Sequence, residues 1–388
     1  MQRRSRGGAL SKPSADVFSF CQGGATLISL EVALMSEKGN MDRRGFFGAA
    51  AMTIAAAQLG TLASANAQSS DGQSETTTAT LTPQEGTHTS FGSLKRTKAG
   101  LLNVGYAELG PANGKVVILL HGWPYDIHSY VDVAPILAAA GYRVILPFLR
   151  GYGTTTFVSS QTPRTGQQGS EALDTIALMD VLKIKSAIFG GFDWGSREVA
   201  IIAALWPERC NGLVAVSGYL ITNRKLTVLP LPPKAELGWW YQYYFATENG
   251  VLGYTKYRHD FAKLIWSIVS PNWHFSDATF DRTAAAFNNP DHVAIVISDY
   301  RWRINLIKNE PQYEHIEAKL RQSPVITVPT ITIASDFDAA NASGTAYRAK
   351  FTGKYAHRIF NGIGHNVPQE APQPFAQAVI DVDALARS

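Results

Sequence analysis

The stretch Ala187-Ile188-Phe189-Gly190-Gly191-Phe192-Asp193-Trp194-Gly195-Ser196 runs from a short apolar segment, through glycines, into a segment of helical spacing. The apolar part suits a strand buried on both faces. Gly191-Phe192-Asp193-Trp194-Gly195 then has the Gly-x-nucleophile-x-Gly form of a nucleophile elbow. Its glycines allow a sharp strand-to-helix turn that exposes the central residue beside a helix N-terminus, where an anion is favoured. A carboxylate is charged at neutral pH without help from a base. It suits displacement at a saturated carbon, with an ester as intermediate. An aspartate that merely caps the following helix is the alternative reading.

The flanking sequence alternates strands and helices. Val116-Val117-Ile118-Leu119-Leu120, Arg143-Val144-Ile145-Leu146, Leu213-Val214-Ala215-Val216, Thr330-Ile331-Thr332-Ile333 and His357-Arg358-Ile359-Phe360 read as strands. Helices are expected over 131–140, 170–182, 196–205, 343–351 and 372–385. This alternation predicts an α/β fold, a mostly parallel, doubly wound sheet. Residues 221–325 break the pattern. They are dense in aromatics, Trp239, Trp240, Tyr241, Tyr243, Tyr244, Phe245, Trp266, Trp273, Tyr300 and Trp302 among them. We read them as a helical cap inserted between a first core part, 88–220, and a second, 326–388. Such a cap lies over the carboxyl ends of the strands, where ligands bind in open α/β sheets.

Three more segments carry chemistry. His121-Gly122-Trp123-Pro124 follows a strand where the elbow fold supplies one oxyanion-hole N–H, from Trp123; the other comes from Trp194. Gly362-Ile363-Gly364-His365-Asn366 offers a histidine able to take a proton from water. Ala334-Ser335-Asp336-Phe337-Asp338 offers a carboxylate to orient that histidine. Asp338 and Asp336 both compete for the last role. The chain order nucleophile, acid, histidine is that of the α/β hydrolases. His259, His274, His292 and His315 lack metal-like pairing and read as surface or structural residues. Arg301 and Arg303 read as fixing the cap on the core, and Cys210 as a packed, inert thiol.

On these motifs the sequence resembles the α/β-hydrolase superfamily and, within it, the epoxide hydrolases with an aspartate nucleophile, over residues 88–388. The carriers are HGWP at 121–124, RGYG at 150–153 and GFDWG at 191–195. To these the resemblance adds Tyr241-Gln242-Tyr243-Tyr244-Phe245 and Tyr300-Arg301 in the cap. Phe192 and Phe148 stand where many relatives have His and Asp, and the acid loop lacks the usual apolar-Pro ending. The resemblance implies an Asp193–His365–Asp338 triad. It also implies that Tyr241 and Tyr300 hold and protonate an epoxide oxygen, and that the product is a vicinal diol. No metal or organic cofactor enters that scheme. The implied partners are water and a small apolar epoxide, aryl groups included. A haloalkane or haloacid dehalogenase would use the same triad, with Trp123 and Trp194 serving the halide. A non-catalytic binding protein on the same fold is the reading from another class.

Composition narrows the rest. Of 388 residues, 45% are hydrophobic and 17% charged, which excludes a disordered chain. No apolar run is long enough for stable membrane insertion. Two cysteines, Cys21 and Cys210, exclude a disulfide scaffold. Residues 1–67 hold seven Lys/Arg and four Asp/Glu, hence three of the four net positive charges. The near-neutral body gives no reason to expect nucleic acid. Arg43-Arg44-Gly45-Phe46-Phe47, an Ala-rich apolar run and Ala63-Ser64-Ala65-Asn66-Ala67 form a secretory signal that resembles the twin-arginine type. Residues 1–67 are therefore expected to be an N-terminal extension with a signal for export to the periplasm, with Met41 as a natural start. Residues 68–87 read as a flexible leader. Oligomeric state is not encoded in any readable feature.

Overall fold

The structure, a computed structural model, describes residues 75–387 except Val228. The N-terminal extension, the export signal and its cleavage site lie outside the described residues.

The strands are β1 (Glu75–Thr80), β2 (Lys95–Ala99), β3 (Leu102–Leu109), β4 (Val116–Leu120), β5 (Arg143–Pro147), β6 (Thr156–Phe157), β7 (Ala187–Gly191), β8 (Cys210–Val216), β9 (Thr330–Ser335) and β10 (Tyr355–Asn361). They form one sheet in the order β1-β10-β9-β8-β7-β4-β5-β3-β2, with β6 beside β3. From β1 to β5 the pairs are parallel; β3 runs antiparallel to β5, β2 and β6. The central strands β7 and β9 are buried at every residue. That suits the apolar run of β7 and the β-branched Thr-Ile-Thr-Ile of β9, since helices cover both faces of a parallel sheet. The edges are polar, Glu-Thr-Thr-Thr-Ala-Thr in β1 and Lys-Arg-Thr-Lys-Ala in β2. Charged and polar side chains there discourage edge-to-edge pairing with other chains.

The core helices are α1 (Val133–Ala139), α2 (Gln168–Val181) and α3 (Trp194–Leu205). The cap carries α4 (Pro233–Gly238), α5 (Trp240–Ala246), α6 (Glu248–Val269), α7 (Asp277–Ala284), α8 (His292–Arg303) and α9 (Glu314–Leu320). The chain closes with the short α10 (Val367–Glu370) and α11 (Pro372–Arg387). The sheet and cap share one apolar core, in which Trp123, Phe245, Tyr254 and Tyr300 lie with Ile118, Phe189 and Val214.

Three expectations need correction. The segment read as a flexible leader contains β1, paired in parallel with β10 from Glu75 to Thr80. It continues in contact with the cap: Trp273 Nε1–H donates to Gln84 O at 2.6 Å. No helix spans 343–351; Gly344 takes a φ of 69° and only a short turn of 3-10 helix follows at Arg348–Lys350. Arg301 and Arg303 bind within the cap rather than against the core. Arg301 Nε–H donates to Phe245 O at 2.9 Å, capping α5, and Arg303 lies over the Trp239 and Tyr300 rings.

Candidate active site

Asp193 stands between β7 and α3 with φ 54° and ψ −126°, a conformation L residues rarely adopt. The glycines around it are dictated by space. A Cβ on Gly195 would lie 2.0 Å from Leu120 O, and one on Gly122 would lie 2.2 Å from Asp193 Oδ1. β4 and the β7–α3 turn therefore come together only as backbones.

That approach gives the carboxylate its partners. The Trp123 backbone N–H donates to Asp193 Oδ1 at 2.7 Å. The Trp194 backbone N–H is a second donor to Asp193. His365 Nε2 lies 3.4 Å from Oδ2. Burial works against the charge on Asp193. The hydrogen bond and charge of His365, with the Trp194 and Trp123 N–H groups, outweigh it and hold the carboxyl below its usual range. Oδ1 thus sits on the Trp123 N–H, and Oδ2 faces the histidine.

The loop of His121 is fixed by that side chain. Leu149 N–H donates to His121 Nε2 at 3.2 Å, so Nδ1–H donates to Gly122 O at 3.1 Å. Burial pushes the fully buried imidazole down to about 4, so it is neutral in this role. Arg150 of the RGYG motif is also buried. It donates to Asp174, to Thr165 O and to Ser170 O, tying the β5–α2 connection together.

His365 follows β10. Its backbone N–H donates to Ser270 Oγ at 2.9 Å, and its Nδ1 meets the Tyr125 hydroxyl at 3.1 Å. Of the two carboxylates in the acid loop, Asp336 is exposed and accepts from Gly362 N–H. Asp338 is buried and accepts from Ser335 N–H at 2.7 Å and from Ser217. Burial pushes Asp338 up to about 6, and attraction to His365 is among the forces that oppose the rise. Asp338 therefore reaches His365 through its charge, while the hydrogen bond at Nδ1 goes to a phenol.

Tyr241 in α5 and Tyr300 in α8 meet over this site. Their rings pack edge to face with centroids 5.3 Å apart. Burial raises both phenols, and Asp193 adds to both shifts, so both remain protonated donors at neutral pH. Trp123 packs on both rings, at 5.1 and 5.2 Å. Its indole N–H is already committed: it donates to Tyr254 Oη at 2.8 Å. The Tyr254 hydroxyl donates to His292 Nε2 at 2.9 Å, and His292 Nδ1–H donates to Gly151 O at 3.0 Å. Trp194 Nε1, in contrast, is buried without a hydrogen-bond partner.

The sequence thus placed Asp193, His365, Tyr241, Tyr300, Trp123 and Trp194 in segments that the fold brings together. It missed Tyr125, the Tyr254–His292 relay and Glu370. Glu370 accepts from Gly364 N–H, Asn366 N–H and the Ser270 hydroxyl, bracketing His365, and burial pushes it up to about 7. An acidic residue five positions after a candidate base was the available signal. Among the described residues no group of three or more His, Cys, Asp or Glu could hold a metal ion. No helix among them is long and apolar enough to cross a membrane.

Comparison with known proteins agrees with this fold. A family profile for the alpha/beta hydrolase fold matches residues 115–258. A crystal structure of a candidate epoxide hydrolase from Klebsiella pneumoniae is 56% identical, with a TM-score of 0.73; the match covers 75% of this chain and 97% of that one. Epoxide hydrolase B of Mycobacterium tuberculosis is 32% identical over 153 residues, 36% of this chain. That match spans only 42% of the enzyme's length. A haloalkane dehalogenase of Psychrobacter cryohalolentis is 26% identical over 292 residues, 72% of this chain and 86% of its own.

Proposed function

The chain belongs to the epoxide-hydrolase-like family of the α/β-hydrolase superfamily and is a hydrolytic enzyme, and from that premise we propose that it opens an epoxide to a vicinal diol through an ester on Asp193. The observation that carries this reading is the Tyr241–Tyr300 pair, two buried, protonated phenols packed edge to face on Trp123, whose backbone N–H holds the Asp193 carboxylate. An epoxide oxygen leaving carbon needs a proton donor, and the pair supplies two.

In this scheme Asp193 Oδ2 attacks a ring carbon, and the C–O bond opposite the attack breaks. The oxygen takes a proton from one phenol while the other donates a hydrogen bond. His365 Nε2 then removes a proton from water, and the oxygen of that water adds to the ester carbonyl. The oxyanion forms at Oδ1, on the N–H groups of Trp123 and Trp194. Collapse releases the diol and restores the carboxylate. The proton held by His365 returns to the tyrosine pair, so one epoxide and one water give one diol. Asp338 steadies the charged imidazole. The aromatic cap supports an apolar substrate, aryl epoxides included.

One observation favours a second reading. The buried, unpartnered Trp194 indole N–H could serve a halide. A halide site with two indole donors would also need Trp123, whose N–H goes to Tyr254. The test is a panel of aryl and alkyl epoxides and haloalkanes, with His365→Gln used to trap the ester. Diol release by the wild type, and an adduct mass equal to enzyme plus epoxide in the variant, is the expected result. Halide release without diol would reassign the leaving group. No product and no adduct would sink both.

Export through the twin-arginine route is part of the same proposal, supported by Arg43-Arg44-Gly45-Phe46-Phe47 and Ala65-Asn66-Ala67. Cell fractionation should recover a periplasmic chain beginning at Gln68; an uncleaved cytoplasmic chain would refute it.

A further inference from the structure

We infer that Tyr254 is the positioning residue of the Trp123 indole: through a hydrogen-bonded relay that ends on His292 and the Gly151 carbonyl, it fixes the ring on which both cap phenols rest. The inference deepens the proposed reaction and rests on it for its catalytic consequence. The hydrogen bond on which it turns can be read without any substrate.

Each proton in the relay has one place to go, because both ends are fixed by chemistry. An indole N–H can only donate, and a carbonyl can only accept. Trp123 Nε1–H therefore donates to Tyr254 Oη, at 2.8 Å. At the other end Gly151 O accepts from His292 Nδ1–H, at 3.0 Å. A neutral imidazole carries one proton, so His292 Nε2 is left as an acceptor. The Tyr254 hydroxyl, 2.9 Å from it, is the donor. His292 is fully buried, and burial pushes it down to about 3, so it is neutral. Tyr254 is fully buried too, and burial raises its phenol, so it keeps its proton. Its oxygen accepts from the indole while its hydrogen goes to the imidazole.

The relay crosses from core to cap and back. Trp123 follows β4, Tyr254 lies in α6, His292 opens α8 and Gly151 follows β5. At Gly151, with φ 77°, the helix comes close: a Cβ there would lie 2.9 Å from Ile295 Cγ1. Just before α8, the Asn289 side-chain amide donates to Gly153 O at 3.0 Å and to Thr155 O at 2.6 Å. His292 is thus a post anchored on the core independently of Tyr254. The indole needs such a post. It packs among the rings of Tyr241, Phe245, Tyr254, Phe261 and Tyr300, with centroids 5.1 to 6.2 Å away. Ring packing holds a flat side chain by shape, but the torsion that turns an aromatic ring is broad and roughly two-fold. The Tyr254 hydroxyl selects one edge. A turned indole would leave its buried N–H without an acceptor and would present a different outline to Tyr241 and Tyr300. Trp123 is therefore a platform for the two phenols, and Tyr254 sets its orientation.

The test compares the full-length protein with Tyr254→Phe, which removes one oxygen and keeps the ring packed on Phe245 and Phe261. Proton–nitrogen NMR of tryptophan-labelled protein, with the Trp123 indole signal assigned by its loss in Trp123→Phe, reads the hydrogen bond directly. That signal should move upfield in Tyr254→Phe. The kinetic readout is the burst of ester formation on Asp193. With an epoxide it should slow by about tenfold without a rise in KM, since misplacing an oriented group by about 1 Å costs up to about 100-fold. With an alkyl bromide, which needs no proton from the phenols, it should stay near the wild-type rate. A residue that only stabilises the fold would slow both alike. In Trp123→Phe no indole N–H remains to be held, so adding Tyr254→Phe should slow epoxide opening no further. An unmoved indole signal overturns the inference, as do equal losses on epoxide and bromide or an additive loss in the double variant. Should the bromide form no ester, the double variant carries the kinetic comparison. If no protein forms an adduct with any epoxide or haloalkane, the covalent reading has failed, and the indole signal decides whether Tyr254 holds Trp123.

Discussion

Tyr241 and Tyr300 reach the same point from different cap helices, and their value lies in what each leaving group requires. An epoxide oxygen develops full negative charge on a poor leaving group, so it depends on donors aimed at it in the transition state. Each single change, Tyr241→Phe or Tyr300→Phe, is expected to lower kcat for epoxide opening by about 100–1,000-fold, and the double change by more, because removing one preorganised donor costs about that much. Ester formation from an alkyl bromide needs no proton and should fall far less, and comparing the two substrates in burst kinetics checks this. Equal losses on both would mean the tyrosines only shape the cap. A different prediction belongs to Gly195. Its missing Cβ lets α3 start against the end of β4, with Leu120 O only 2.0 Å from where that Cβ would be. Backbone cannot swing aside as a side chain can. Gly195→Ala should therefore cost about 3 kcal/mol or more in denaturant unfolding, beyond an ordinary overpacking penalty.

At the scale of elements, one arginine joins three helices. Arg197 of α3 donates to Asp299 of α8 at 2.7 Å and to Glu171 of α2 at 3.2 Å, and all three side chains are buried. Asp299 precedes Tyr300, so this junction ties the cap helix carrying the phenol to the helix that starts at the nucleophile. Two carboxyls share one guanidinium, and burial raises both of them. Removing either acid alone leaves Arg197 with a partner; removing Arg197 takes from both buried acids the guanidinium that hydrogen-bonds them. We expect Arg197→Met to destabilise by about 3–5 kcal/mol, the cost of orphaning a buried charge, and Asp299→Asn by clearly less. Urea midpoints for the two variants would show this, and the reverse order would refute it. Such a junction could not be read in the sequence, because its members are scattered and each looks like an ordinary charged helix residue. The central strands were legible for the opposite reason: burial on both faces selects the apolar and β-branched residues that mark them, Ala-Ile-Phe in β7, Leu-Val-Ala-Val in β8 and Thr-Ile-Thr-Ile in β9. β1 escaped notice because an edge strand pairs through its backbone and can keep polar side chains. The spacing of Tyr347 and Phe351, both buried, imitates a helix across what is a set of turns. The elbow was legible because each residue in it answers a local demand. The Tyr125–His365 contact joins residues 240 positions apart and left no local trace.

For the whole molecule, the buried titratable groups set how stability changes with pH, and they fall into two families. Glu370 is pushed up to about 7 and Asp338 to about 6, and Glu171, Asp174, Glu198, Asp299 and Glu317 are also raised, burial being the first cause in every case. A carboxyl with a raised value binds its proton more tightly folded than unfolded. Its contribution to stability is complete below the ordinary carboxylate range and is lost as pH rises through the folded value. His121 and His292 act in the other direction. Burial lowers them to about 4 and about 3, so their contribution is present above the ordinary histidine value and is lost as pH falls below it. Asp193, held low, follows the same sign and adds its loss only in the acid range below the ordinary aspartate value. Between pH 8.5 and 6.5 the carboxyls act nearly alone, and stability should rise as pH falls. Glu370 by itself contributes about 1 kcal/mol over that interval, a shift in Tm of about 2 °C for a chain of this size. Below pH 6.5 the histidines oppose the carboxyls and the curve should flatten. Calorimetric scans at half-unit steps would trace it. Glu370→Gln, which keeps the shape but cannot ionise, should remove part of the slope between pH 8.5 and 6.5 whatever it does to absolute stability. A wild-type Tm that falls over that interval, or a slope the variant leaves untouched, would mean that these carboxyls reach water when the chain is folded.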